Sequence, residues 1–126
     1  MVTTATTPSD SRYQAGPGTG LDGVVRISTG NLYGTGALLY DGHAILTSAH
    51  LFAQGLGSLT IRFDLPTGPF IAHAQSVSII ETYDATSTAN DLALVWLDEA
   101  APIGADRYDL YRGNNEVGQR FELVGY

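Results

Sequence analysis

The sequence predicts an all-β fold, a closed antiparallel barrel or a sandwich, on three observations. Short runs of Val, Ile, Leu, Thr and aromatic residues recur at close spacing with turn signals between them. Glycine is in excess at 15 residues, whereas Lys and Glu, which favour helices, are scarce. The 126 residues amount to one domain, 44% apolar, with no repeat at a solenoid period.

Met1 to Gly20, MVTTATTPSDSRYQAGPGTG, has almost nothing to bury and reads as a flexible leader; order begins near Leu21. Gly23–Thr29 is a strand, Gly30-Asn31 a hairpin turn, and Leu32–Tyr40 a second strand whose glycines mark a bend or a close backbone approach. Asp41-Gly42 is a type I′ hairpin signal, and His43–Ser48 returns from it as a third strand. Ala49–Gly55 fits one short helical turn ended by Gly55. In Ser58–Leu65, Leu59, Ile61, Phe63 and Leu65 alternate with Thr60, Arg62 and Asp64, the pattern of a half-buried strand. After a Pro-Thr-Gly-Pro turn, Phe70–Ile80 reads as one long strand and Glu81–Asn90 as a polar loop. Asp91–Leu97 is an almost continuous apolar run fit for a buried strand. A long connection, Asp98–Gln119, then leads to Arg120–Tyr126, which begins a seventh strand after the six.

Composition removes several functions. The net charge is −7 and the pI about 4.5, and six basic residues spread along the chain form no patch for a nucleic-acid backbone. With no cysteine there is no disulfide, thiolate metal site, iron–sulfur cluster or thiol nucleophile. No run of 18 apolar residues spans a membrane. The N-terminus has neither the basic nor the apolar region of a signal peptide.

Three histidines are candidates for chemistry. His43, after the Asp-Gly turn, and His73, in the long strand, have no partner at metal-ligand spacing and read as exposed strand residues. His50 ends a strand after the small residues of Leu-Thr-Ser-Ala, which let a neighbouring backbone approach. Asp91 opens a buried apolar strand, where a charge must be satisfied by several hydrogen bonds. Asp91 is either a loop acid at a strand start or a buried carboxylate that orients an imidazole.

The segments GTGALLYDGHAILTSAH (Gly34–His50) and NDLAL (Asn90–Leu94) resemble, in order, the two segments that mark the first barrel of trypsin-like (chymotrypsin-fold) serine proteases. His50 and Asp91 stand 41 positions apart, within the range of that family. Val117–Tyr126 resembles the segment that opens the family's second barrel, and the likeness extends over roughly Leu21 to Tyr126. The resemblance implies a six-stranded antiparallel Greek-key barrel over residues 21–116, carrying His50 and Asp91, and an opening strand of a second barrel over 117–126. It implies His50 as general base and acid, and Asp91 as the carboxylate that fixes its tautomer, held by the amides of Ala49 and His50. It makes Thr47 and Ser48 the supporting hydroxyls, and it aligns Tyr83 and Thr88 with residues that wall the substrate groove. No metal or cofactor is implied. The missing cysteine beside His50 and near Gly36 departs from animal enzymes and suits bacterial, secreted members.

The family's nucleophile comes after the aspartate, in a Gly-Asp-Ser-Gly-Gly turn of the second barrel. No serine follows Asp91 here. Ser58 is flanked by glycines, but it precedes Asp91 and lacks the following Gly pair. The expectation is therefore half of a serine endopeptidase, inactive alone, whose partner is the absent barrel and whose substrate would be a protein or peptide. A lone barrel that binds a partner through a vestigial His–Asp pair is the competing expectation. Uncovered apolar surface and the terminal strand predict a homo-oligomer, with that strand exchanged between chains.

Overall fold

A computed structural model describes residues 14–55 and 57–126, so most of the predicted leader lies outside the described residues. Their strands are β1 (Val24–Thr29), β2 (Leu32–Leu38), β3 (Ala44–Thr47), β4 (Leu59–Leu65), β5 (Gly68–Ala72), β6 (Ala74–Ile79) and β7 (Ala93–Leu97), with a 3₁₀ turn at Ala49–Phe52. All ladders are antiparallel, in one sheet of order β5-β4-β1-β2-β3-β7-β6. The run β4-β1-β2-β3 is the Greek-key order.

The two ends of that order, β5 and β6, are consecutive in the chain with His73 alone between them. The sheet therefore curls round so that its two ends are brought together at His73, as in a barrel. The predicted long strand Phe70–Ile80 is thus two strands. Up to Ala72 it pairs with β4; from Ala74 it pairs with β7, with a register shift between Ala74 and Ser76. A straight strand cannot follow two neighbours that diverge around a corner, and the break at His73 supplies the seventh strand.

Alternation places one face of each strand inward. Val25 and Ile27 of β1, Leu38 of β2, Ile45 of β3, Ile61 and Phe63 of β4 and Val95 of β7 are fully buried. Gly36 of β2 faces this core, where a Cβ would lie 2.5 Å from Ile45 Cγ2 and 2.9 Å from Ile27 Cδ1. Its lack of a side chain is what lets β2 pack there.

The Asp41-Gly42 turn is wider than the expected two-residue type I′ hairpin. Leu39 and Ala44 close the loop, with the Leu39 amide donating to the Ala44 carbonyl at 2.8 Å. The Asp41 carboxylate accepts the amides of His43 and Ala44, both at 3.1 Å, and so holds the loop open by one residue on each side.

The long connection after β7 closes one end of the barrel. Ala101 and Ala105 are buried, the Ala101 amide donates to the Gly42 carbonyl at 2.8 Å, and Asp106 accepts the Asp22 amide at 2.9 Å. Tyr108 accepts the Gly23 amide at 3.3 Å and donates to the Gly20 carbonyl at 3.1 Å.

Arg120–Tyr126, expected as a strand, forms no ladder. No strand of the sheet takes this segment as a ladder partner. Tyr126 instead hooks onto the barrel: its amide donates to Thr35 Oγ1 and its hydroxyl to Asp64 Oδ2, each at 2.8 Å. Burial, the hydrogen bond to Asp64 and the negative charge of Asp64 push the Tyr126 phenol up to about 12. Phe121 and Leu123 remain exposed along the segment.

Candidate functional site

The pairing of β3 with β7 sets the site. Thr47 faces Ala93 across the ladder, so the residues just after β3 lie beside those just before β7. His50 is carried by the 3₁₀ turn on one side of this junction, and Asp91 by the loop end on the other. Residues distant in sequence thereby meet: His50 Nδ1 lies 2.6 Å from Asp91 Oδ2, and the His50 amide donates to Asp91 Oδ1 at 2.8 Å.

Burial raises the Asp91 pKa, but it is outweighed. The imidazole, the backbone amides of His50 and Ala49 and the charge of His50 favour the carboxylate, and the net displacement is downward from the ordinary aspartate value. An ionised carboxylate is acceptor-only, so the short contact assigns the proton to Nδ1 and the lone pair to Nε2. Nε2 has no protein hydrogen-bond partner among the described residues, and the His50 side chain keeps 53% of its exposure. The result is an oriented imidazole with a basic nitrogen open to an incoming proton donor. Asp91 is less enclosed than the sequence suggests, retaining 25% exposure, because it sits at the barrel rim two residues before β7 begins.

The turn that carries His50 is anchored from below. Ala49, Leu51 and Phe52 are buried, and the buried Thr29 hydroxyl donates to the Leu51 carbonyl at 2.9 Å. Gly34 of β2 makes room for Leu51, since a Cβ there would lie 2.8 Å from Leu51 Cδ1. Thr29 and Gly34 escape sequence reasoning as site residues. The only signal was the pair of glycines two apart in β2, which for Gly34 and Gly36 means close approach rather than a bend.

The remaining candidates separate. Ala49 contributes its amide to Asp91. Thr47 is buried and donates its hydroxyl to the Thr35 carbonyl at 2.8 Å, holding β3 against β2 rather than touching the His50–Asp91 pair. The Ser48 hydroxyl does not cap the turn. Tyr83 packs partly against the core, and the Thr88 hydroxyl donates to the neighbouring Ser87 carbonyl at 2.7 Å. Neither hydrogen-bonds to His50 or Asp91 among the described residues. His43 and His73 are exposed, and no group of three or more His, Asp or Glu side chains among the described residues is arranged to hold a metal ion.

No protein-family model matches this sequence, and no curated protein matches it. Among solved structures, human heparin binding protein matches the fold with a TM-score of 0.61 at 20% identity, over 76% of this chain and 47% of that one. The curled antiparallel sheet described above is thus the chymotrypsin-type fold, and the chain spans about half the length of that neighbour.

Proposed function

We propose that this chain is the first barrel of a secreted, bacterial-type, trypsin-like serine endopeptidase, with His50 as general base and Asp91 as its orienting carboxylate. The observation that carries the reading is the double grip of Asp91 on His50, at 2.6 Å through the ring and 2.8 Å through the amide. In peptide hydrolysis, Nε2 takes the proton of a serine hydroxyl as the oxygen attacks the carbonyl, and later gives it to the leaving amine. Asp91 keeps Nδ1 protonated throughout and stabilises the imidazolium that forms. The serine and the oxyanion amides belong to a second barrel, consistent with the half-length match to the chymotrypsin-fold neighbour. The neighbour's name points to heparin, a polyanion; a net charge of −7 with six scattered basic residues gives no support for that ligand here.

The purified 126-residue chain is expected to hydrolyse no peptide or ester above background, and a fluorophosphonate probe is expected to label none of its serines. Turnover that survives repurification and vanishes in His50→Ala would overturn the half-protease reading. So would a parent reading frame that stops after Tyr126 rather than running into a Gly-Asp-Ser-Gly-Gly-like turn; a lone binding barrel would then be the better account.

The apolar side chains of Phe121 and Leu123 also support self-association of the isolated chain. Light scattering is expected to give a dimer or larger at high concentration, and a monomer there would overturn it.

A further inference from the structure

We propose that Asn90 is a positioning residue: it locks the polar loop before β7 so that the Asp91 carboxylate is presented to His50. The inference rests on the reading of His50 and Asp91 as a working base pair. Asp91 belongs to no strand, so its direction has to be fixed from both flanks. On its C-terminal side the sheet does so, with the Ile80 amide on the Leu92 carbonyl at 3.1 Å and Ala93 paired to Thr47.

On its N-terminal side the work falls to Asn90. Its backbone is left-handed at φ +54°, a conformation that asparagine tolerates better than most residues. Its carbonyl accepts the Leu92 amide at 2.8 Å, making a three-residue turn with Asp91 at the apex. Its side-chain amide donates to the Thr82 carbonyl at 3.1 Å, strapping the end of the loop to its beginning.

Within the strap, the loop is wound about Asp84. The carboxylate accepts the Thr86 amide at 2.8 Å and the Ser87 hydroxyl at 2.9 Å, and the Asp84 amide donates to the Ala89 carbonyl at 3.0 Å. Thr88, a β-branched residue, is held at φ +56°. Such an outlier persists only where its surroundings over-determine it. The loop is therefore a small rigid frame rather than slack chain, and Asn90 is the joint by which it sets Asp91. Aspartate at this position would keep the left-handed preference but face the Thr82 carbonyl with an acceptor; alanine would lose both.

The test is nitrogen-15 NMR of the histidines in the 126-residue chain, reading the solvent-exchange rate of His50 Nδ1–H and the tautomer of the ring. In the parent chain, Nδ1–H is expected to be protected and to dominate. Asn90→Asp and Asn90→Ala are each expected to speed its exchange about tenfold, the size of one lost hydrogen bond, and to mix the tautomers without loss of the folded β-sheet spectrum. Asn90→Gly, which keeps the backbone conformation and loses only the strap, is expected to fall between parent and alanine. Unchanged exchange in Asn90→Asp, with protection lost in Asp91→Asn, would overturn the role of Asn90 and leave the base pair standing. Unchanged exchange in Asp91→Asn would overturn the base pair itself.

Discussion

If the chain is the first barrel of a serine endopeptidase, as proposed above, replacing Asp91 by asparagine is expected to lower kcat of the complete enzyme about ten-thousand-fold with KM little changed, the magnitude found when trypsin-like triads lose this carboxylate. Asparagine fills the same space and still accepts the His50 amide, so the fold should survive. What changes is the proton. An amide nitrogen facing Nδ1 donates to it, which forces the ring into the tautomer with hydrogen on Nε2. The nitrogen that must accept the serine proton is then already occupied. Substrate contacts are not altered, so the loss falls on the chemical step.

The pH dependence has a definite sign. Asp91 is displaced downward in the folded chain, because the His50 ring and the two backbone amides outweigh its partial burial. Its contribution to folding is therefore present above its unfolded pKa and lost as pH falls through the lower folded value. Stability due to Asp91 should start to fall as pH drops into the ordinary aspartate range and be gone below the lower folded value in the parent, and this dependence should be absent in the asparagine variant. Denaturant unfolding across acid pH checks the stability statement; in the complete enzyme, an asparagine variant within tenfold of the parent in kcat would refute the assigned role.

How much of this was legible in the sequence depends on the range of the cause. Alternation in Leu59–Leu65 and the apolar run before Leu97 gave β4 and β7, because a strand's inward face is written locally in the side chains that fill the core. The Gly30-Asn31 turn was legible for the same reason, with Gly30 at φ +60° between paired Thr29 and Leu32. His73 could not be seen as a break, since what divides β5 from β6 is the divergence of β4 and β7, both remote in sequence. The Arg120–Tyr126 run has strand composition, but composition cannot tell that no strand of the sheet pairs with it. At the site, His50 and Asp91 were found by motif, whereas the struts beneath them were not. Thr29 and Asn90 act through one hydroxyl and one amide aimed at backbone carbonyls, and residue type alone does not disclose such an aim.

Replacing Phe63 by alanine is expected to cost about 3–5 kcal/mol of stability, a large part of the roughly 5–15 kcal/mol that a domain possesses. Phe63 is fully buried in β4 and meets Phe70 of β5 edge-on, with ring centroids 6.4 Å apart and planes at 63°. It sits where β4 hands over to the bent strand that closes the barrel. The surrounding core relaxes only partly into the space left behind, so both the lost burial and the residual cavity count. The thermal midpoint followed by circular dichroism is expected to fall by more than about 10 °C. Phe63→Leu, which refills most of the volume, should lose much less. Phe63 belongs to β4, whereas β3 and β7 carry the His50–Asp91 junction. The folded fraction of the alanine variant should therefore keep the protected Nδ1–H of His50 at low temperature. A midpoint within about 3 °C of the parent would show that the core does not depend on this ring. A destabilised variant that also lost Nδ1–H protection while still folded would show instead that barrel closure and the site are mechanically one unit.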